Sequence, residues 1–156
     1  MTKLAQVLDG WGGYQTSLLH AIAPLAAAQL SWRPAPDRRS IGELVRHIAM
    51  GRITWFARMN PPGIDAAIAR VSKWFVDRDG NRHAVEDAVP ADDSARLVEW
   101  LHISWAPVQR VLDEWTVEDL NTSYRHRSPA TTTSSRGSGR SGGSWRTTST
   151  TAGRSR

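Results

Sequence analysis

Five histidines and no cysteine set the terms of any metal or nucleophilic chemistry open to this chain. Without thiolates a metal must be held by imidazole and carboxylate, and disulfides are excluded. The best placed of the five is His47, within Ile41-Gly42-Glu43-Leu44-Val45-Arg46-His47-Ile48-Ala49. On a helical wheel it flanks an apolar stripe, on the side of Leu44, Gly51 and Trp55, and the glycine one turn on leaves space beside the ring. A lone histidine there is more often structural than a ligand, and one imidazole cannot hold a metal. His20 and His102 belong to neither a His-x-x-x-His nor a Glu-x-x-His pair, so they read as core-edge residues. His83 and His126 fall in turn or boundary sequence and carry no assigned role. There is no GxSxG elbow, phosphate-binding glycine loop or paired-carboxylate arrangement, and so no catalytic residue is assigned. Asp92, Asp93, Glu114, Glu118 and Asp119 read as helix caps and solvated faces.

Three amphipathic segments must position His47. The first carries Leu4, Val7, Leu8, Trp11, Tyr14, Leu18, Ile22 and Leu25 at steps of three and four, weakened by Gly10, Gly12 and Gly13 and ended or kinked by Pro24. The second is the best marked. Ser40 and Glu43 form a capping box before Ile41, Leu44, Val45, Ile48, Trp55, Phe56 and Met59, and the helix should end at Asn60-Pro61-Pro62-Gly63. A short helix is expected within Ile64 to Val76, followed by a turn over Asp77 to Asn81. The third long helix starts near Asp92, Asp93 and Ser94 and carries Leu97, Trp100, Leu101, Val108, Val111, Leu112 and Trp115, with a kink at Pro107. No convincing period-two strand appears, so the class is all-α, an antiparallel bundle. Its stripes are wide and rich in tryptophan, and the bundle looks one member short.

At about His126 the composition changes. Residues 1–126 hold 14 Lys and Arg against 15 Asp and Glu, whereas 127–156 hold eight Ser, seven Thr, six Arg, five Gly and no acidic residue. Such a tail cannot bury enough apolar surface to offset its ordering entropy, and disorder is expected over 127–156, outside a single domain spanning 1–126. The net charge of +5 comes entirely from the tail, so it says little about a nucleic-acid surface on the folded part. No secretory leader or run of eighteen apolar residues occurs, which makes a soluble cytoplasmic protein the expectation.

Leu30-Ser31-Trp32-Arg33-Pro34-Ala35-Pro36, then Ser40 to Ala49, then Trp55-Phe56, resemble the DinB family of DinB/YfiT-like metalloenzymes. The resemblance runs from Met1 to about His126 and includes the Asp79-Gly80-Asn81-Arg82-His83 turn, Trp100, Trp105 and Glu114 to Leu120. It implies a four-helix bundle holding a divalent metal (zinc, nickel or iron) on three histidines. One ligand position matches His47, and the other two lie on the fourth helix in a motif like H-D-L-H-H-G-G. Here that helix is lacking and the basic tail stands in its place. Reading the third base of each codon with the first two of the next, the stretch Ser144 to Ser155 admits I-M-A-H-D-L-H-H-G-G-E-I, which is the missing motif. A frameshift near Arg125 to Ser128 is the economical explanation.

The resemblance implies a metal-dependent reaction on a small molecule, of thiol-transferase or hydrolase type, with a small-molecule or thiol substrate. As written, the chain keeps one ligand position, so no enzyme activity is expected and no metal should be bound. Unpaired apolar stripes favour homodimerisation or self-association. Two other readings remain: a non-catalytic interaction bundle receiving a partner helix, and a nucleic-acid-binding protein using the Arg-rich tail. The second is the weaker, since only Trp145 is available in the tail for stacking. No membrane partner is expected.

Overall fold

Gly10 divides the first apolar run. Its φ of 95° is left-handed, a conformation glycine adopts without a Cβ clash, and it separates α1 (Leu4–Val7) from α2 (Trp11–Ile22), where one helix was expected. The computed structural model describes residues 2–121 together with the backbone of 123–125 and 134–136. α2 stops two residues before Pro24, and the four-residue α3 (Ala27–Leu30) follows. α4 (Ile41–Met59) begins at the expected cap: Ser40 Oγ accepts from the Glu43 amide at 3.2 Å, and the Ser40 amide donates to Glu43 Oε2 at 2.8 Å. It ends at Asn60, left-handed at φ 48° ahead of Pro61.

The expected short helix is α5 (Ile64–Arg70), but the chain then leaves helical geometry for an antiparallel hairpin. β1 (Trp74–Val76) faces β2 (Arg82–Ala84), with Trp74 opposite Ala84 and Val76 opposite Arg82. The turn between them is the one expected at Asp77 to Asn81, closed by Asp77 Oδ1, which accepts from the amides of Asp79 at 3.0 Å and Asn81 at 2.7 Å. Three-residue strands are too short to display alternation, which is why no period-two signal announced them. After a 3-10 turn at Glu86–Ala88, α6 (Ser94–Glu114) is capped by Asp93 Oδ1, which accepts from the Arg96 amide at 3.0 Å. α6 continues through the fully buried Pro107 to Glu114. A further 3-10 turn (Glu118–Asn121) leads to β3 (Ser123–Arg125), paired antiparallel with β4 (Ser134–Arg136). Apart from these three residues of β4, the segment 127–156 on which disorder was expected lies outside the described residues.

α4 and α6 form the principal pair, with α2 packed on α6, and α5 and β2 packed on α4. Val45, Ala49, Met50 and Ile53 of α4 meet Leu97, Trp100 and Leu101 of α6 in the main core. Each fully buried Leu or Ile there contributes about 1.5–3 kcal/mol of apolar transfer. A second cluster joins Leu4 to Val108, Val111 and Leu112. The N-terminal segment is tied to the end of α6: the Leu4 amide donates to the Trp115 carbonyl at 2.9 Å, and Lys3 Nζ donates to the Glu114 carbonyl at 2.7 Å. That second bond satisfies one of the carbonyls a helix C-terminus leaves unpaired.

α2 and α4 both lean on α6 and are joined to each other through a polar floor. Arg52 Nη1 donates to Oε1 of the buried Gln15 at 2.8 Å, and Gln15 Nε2 donates to the Leu101 carbonyl at 3.2 Å. The apolar stripe of α4 is therefore split between two faces. Val45, Ala49 and Ile53 are buried, whereas Leu44 and Trp55 are about half exposed, as are Val7, Trp11 and Tyr14 on the N-terminal helices. The fold is predominantly helical, as expected, and among the described residues α2, α4 and α6 are the long helices, with no fourth. No described helix is long and apolar enough to cross a membrane.

Candidate functional site

Gly42 brings the site together. A Cβ on it would stand 1.6 Å from the Ala91 carbonyl oxygen, so only glycine lets the segment after β2 lie directly on the first turn of α4. That approach carries Glu86 and Asp87 to the charged residues of the helix. Glu86 Oε1 stands 2.6 Å from His47 Nδ1, and its other oxygen accepts from Arg39. Arg46 Nη2 donates to Asp87 Oδ1 at 2.7 Å. Burial pushes the Glu86 carboxyl up, but the hydrogen bonds from Arg39 and His47 outweigh it and hold the pKa below the ordinary glutamate value. An ionised carboxylate only accepts, so the Nδ1 that faces Glu86 carries a proton. The His47 side chain is 50% exposed. A Cβ on Gly51, one turn on, would meet nothing within 4 Å, so space is open beside the ring as expected.

The hairpin supplies the opposite wall. Its anchor to α4 is buried: the Ala84 amide donates to Thr54 Oγ1 at 3.0 Å. From β2 the His83 ring stacks on Phe75, with centroids 4.9 Å apart and planes 13° from parallel, and Nε2 donates to Asp77 Oδ2 at 2.9 Å. That bond is the main reason the Asp77 carboxyl sits far below the ordinary aspartate value. Burial opposes it, and bonds from Asn81 and the Asp79 amide assist. Arg58 Nη2 lies against the His83 ring, 3.1 Å from Nε2 and 3.3 Å from Nδ1, and the Arg58 guanidinium sits over the Trp55 ring at 4.6 Å. Between helix and hairpin opens a cleft of about 380 Å³ that includes His47, Arg58, Trp55, Phe75, His83 and Glu86. This is in the size range of small-molecule sites.

His47 is thus an oriented imidazole facing a cleft, the arrangement a carboxylate imposes on metal-binding histidines. The rest of a metal centre does not assemble around it. Among the described residues no three His, Asp or Glu side chains stand close enough to hold an ion. Glu86 is committed to Arg39 and His47, and His83 spends Nε2 on Asp77. The described residues do not fit a divalent metal. His20 and His102, expected at the core edge, are instead exposed on α2 and α6. His126 lies outside the described residues.

Sequence reading passed over His83, Glu86 and Arg58. Asp77 and His83 are separated by the turn that was recognised, and two residues flanking a tight turn on paired strands must come close. That spacing was the available signal. Glu86 and His47 are 39 residues apart, and no local pattern joins them. Among known families, the model described as the DinB superfamily matches residues 14–138, a span that contains every residue of the cleft. No curated protein matches the chain, and no solved structure does.

Proposed function

The chain belongs to the DinB superfamily, and on that premise we propose that it is a member built for metal-dependent small-molecule chemistry whose metal site is incomplete. His47 is its remaining ligand position, and catalysis of the thiol-transferase or hydrolase type is not carried by these 156 residues. The observation that carries the reading is His47 itself: a cleft-facing imidazole, oriented at Nδ1 by Glu86, around which no group of three His, Asp or Glu side chains gathers among the described residues. The shifted reading of Ser144 to Ser155 admits the H-D-L-H-H motif of the family's fourth helix, and Trp11, Tyr14, Leu44 and Trp55 are apolar side chains left about half exposed on α2 and α4.

Sequencing the coding DNA from codon 120 past codon 156 tests the frame. A base added or lost near codon 126 that restores the histidine motif is the expected result, and a confirmed frame whose shifted reading is interrupted by stops overturns it. Equilibrium dialysis with zinc and nickel tests the site. The chain as written should bind neither at micromolar concentration, and the frame-restored chain should bind one ion per chain that His47→Ala removes. Stoichiometric tight binding by the 156-residue chain refutes the proposal.

The exposed apolar side chains support a second reading, a non-catalytic bundle that associates through them. Sedimentation should then give dimers or larger species that dissociate when Trp11 and Trp55 are both changed to Gln. A stable monomer at high concentration removes this reading. A salt-sensitive nucleic-acid interaction through the Arg-rich tail is the third and weakest reading.

A further inference from the structure

The charges lining the cleft do not balance evenly. Its carboxylates are already engaged: Glu86 by Arg39 and His47, and Asp87 by Arg46. Arg58, on the α4 wall, has no carboxylate within ion-pair distance among the described residues; its Nη2 is turned to the Arg82 carbonyl at 3.5 Å and to the His83 ring, and its Nε is buried without a hydrogen-bond partner. The carboxylate that acts on it most is Asp77, whose oxygens already accept from His83, Asn81 and the Asp79 amide. Burial pulls the Arg58 pKa below the ordinary arginine value, with Asp77 opposing, so the guanidinium is a partly desolvated cation. A partly desolvated cation gains most from an anionic ligand that can accept the donors left over.

The apolar lining adds a second requirement. Trp55, Arg58, His83 and Phe75 succeed one another as a layered stack, with Trp55 and Phe75 each about half exposed at its ends. A small inorganic anion would leave those ring surfaces in water, whereas a planar apolar body would cover them. Covering one aromatic face of this kind is worth on the order of 0.5–1.5 kcal/mol beyond area burial.

We propose that the cleft between α4 and the β1–β2 hairpin binds a small organic anion with a planar apolar body, an aromatic carboxylate in the simplest case, its carboxylate on Arg58 and its ring against Trp55 or Phe75. This inference is independent of the metal reading, because the binding is measured in the presence of a chelator. The probes are benzoate, the isosteric neutral benzamide and inorganic phosphate, each titrated calorimetrically into the full chain in excess EDTA. Benzoate should bind saturably, at least tenfold tighter than either of the others. Arg58→Gln should weaken benzoate at least tenfold and leave benzamide unchanged. Equal affinity for benzoate and benzamide overturns the role of the charge, and phosphate binding as tightly as benzoate overturns the role of the apolar body. Where Arg58→Gln does not fold, amide shift mapping on the unaltered chain takes its place. Benzoate-induced shifts centred on Arg58, Phe75 and His83 support the site, and shifts elsewhere refute it.

Discussion

Two glycines on one helix should respond oppositely to the same substitution. Gly42 and Gly51 both lie in α4, and Ala is favoured over Gly in a helix by about 1 kcal/mol. At Gly51 the new methyl meets nothing within 4 Å, so Gly51→Ala should stabilise by up to about 1 kcal/mol through propensity alone. At Gly42 the methyl would lie 1.6 Å from the Ala91 carbonyl oxygen, 2.7 Å from its carbon and 3.2 Å from its Cα, all backbone atoms with no rotamer to change. Relief requires the 86–91 segment to lift off α4. Overpacking of this kind costs about 1–3 kcal/mol. The lift should also stretch the Glu86 bonds to Arg39 and His47, so a net loss of about 2 kcal/mol is the expected outcome after the propensity gain. Urea unfolding followed by tryptophan fluorescence measures both variants. Nitrogen NMR of the His47 ring reports whether Nδ1 keeps its carboxylate. Gly42→Ala should lower the midpoint and release Nδ1, while Gly51→Ala raises the midpoint and leaves the ring unchanged. Equal stability of the two variants would refute the reasoning that the 86–91 segment rests on Gly42.

The remaining expectations follow from single contacts. Ser40→Ala removes one side of the α4 capping box and should cost about 1 kcal/mol in the same unfolding assay, with Ser40→Asp retaining most of the stability. Thr54→Val keeps the shape but orphans the buried Ala84 amide, so it should cost about 1–3 kcal/mol and speed hydrogen exchange at Ala84 before other core amides. Folded Asp77, Glu43, Glu86 and Asp119 all titrate below their ordinary values, so each favours the folded state above its unfolded pKa and loses that contribution as pH falls. The urea midpoint should therefore decline from about pH 5 downward, and Asp77→Asn should flatten part of that decline; a midpoint unchanged between pH 5 and 3 would contradict the ion-pair assignments.

What the sequence determined by itself is what rests on neighbours along the chain. Ser40 with Glu43, Asp93 as a cap, and Asn60 before Pro61 fix helix ends through bonds spanning three or four residues, and the sequence placed the helix ends at or beside these residues. The same locality made His47 visible as a flank residue and gave the turn at Asp77 to Asn81. Gly10 was seen as a weak point but not as a break, since a glycine tolerated in a helix and one turning left-handed look alike in sequence. The tertiary structure decided how the stripe on α4 divides. A helical wheel shows Val45, Leu44, Ile53 and Trp55 alike as apolar, and only the placement of α6 buries the first and third and leaves the other two half exposed. It also decided the cleft. The contacts between Glu86 and His47, Thr54 and Ala84, and Arg58 and His83 span 25 to 39 residues. They exist because a helix and a hairpin meet where Gly42 has no side chain, and a periodicity read along one element carries no information about the element it will touch.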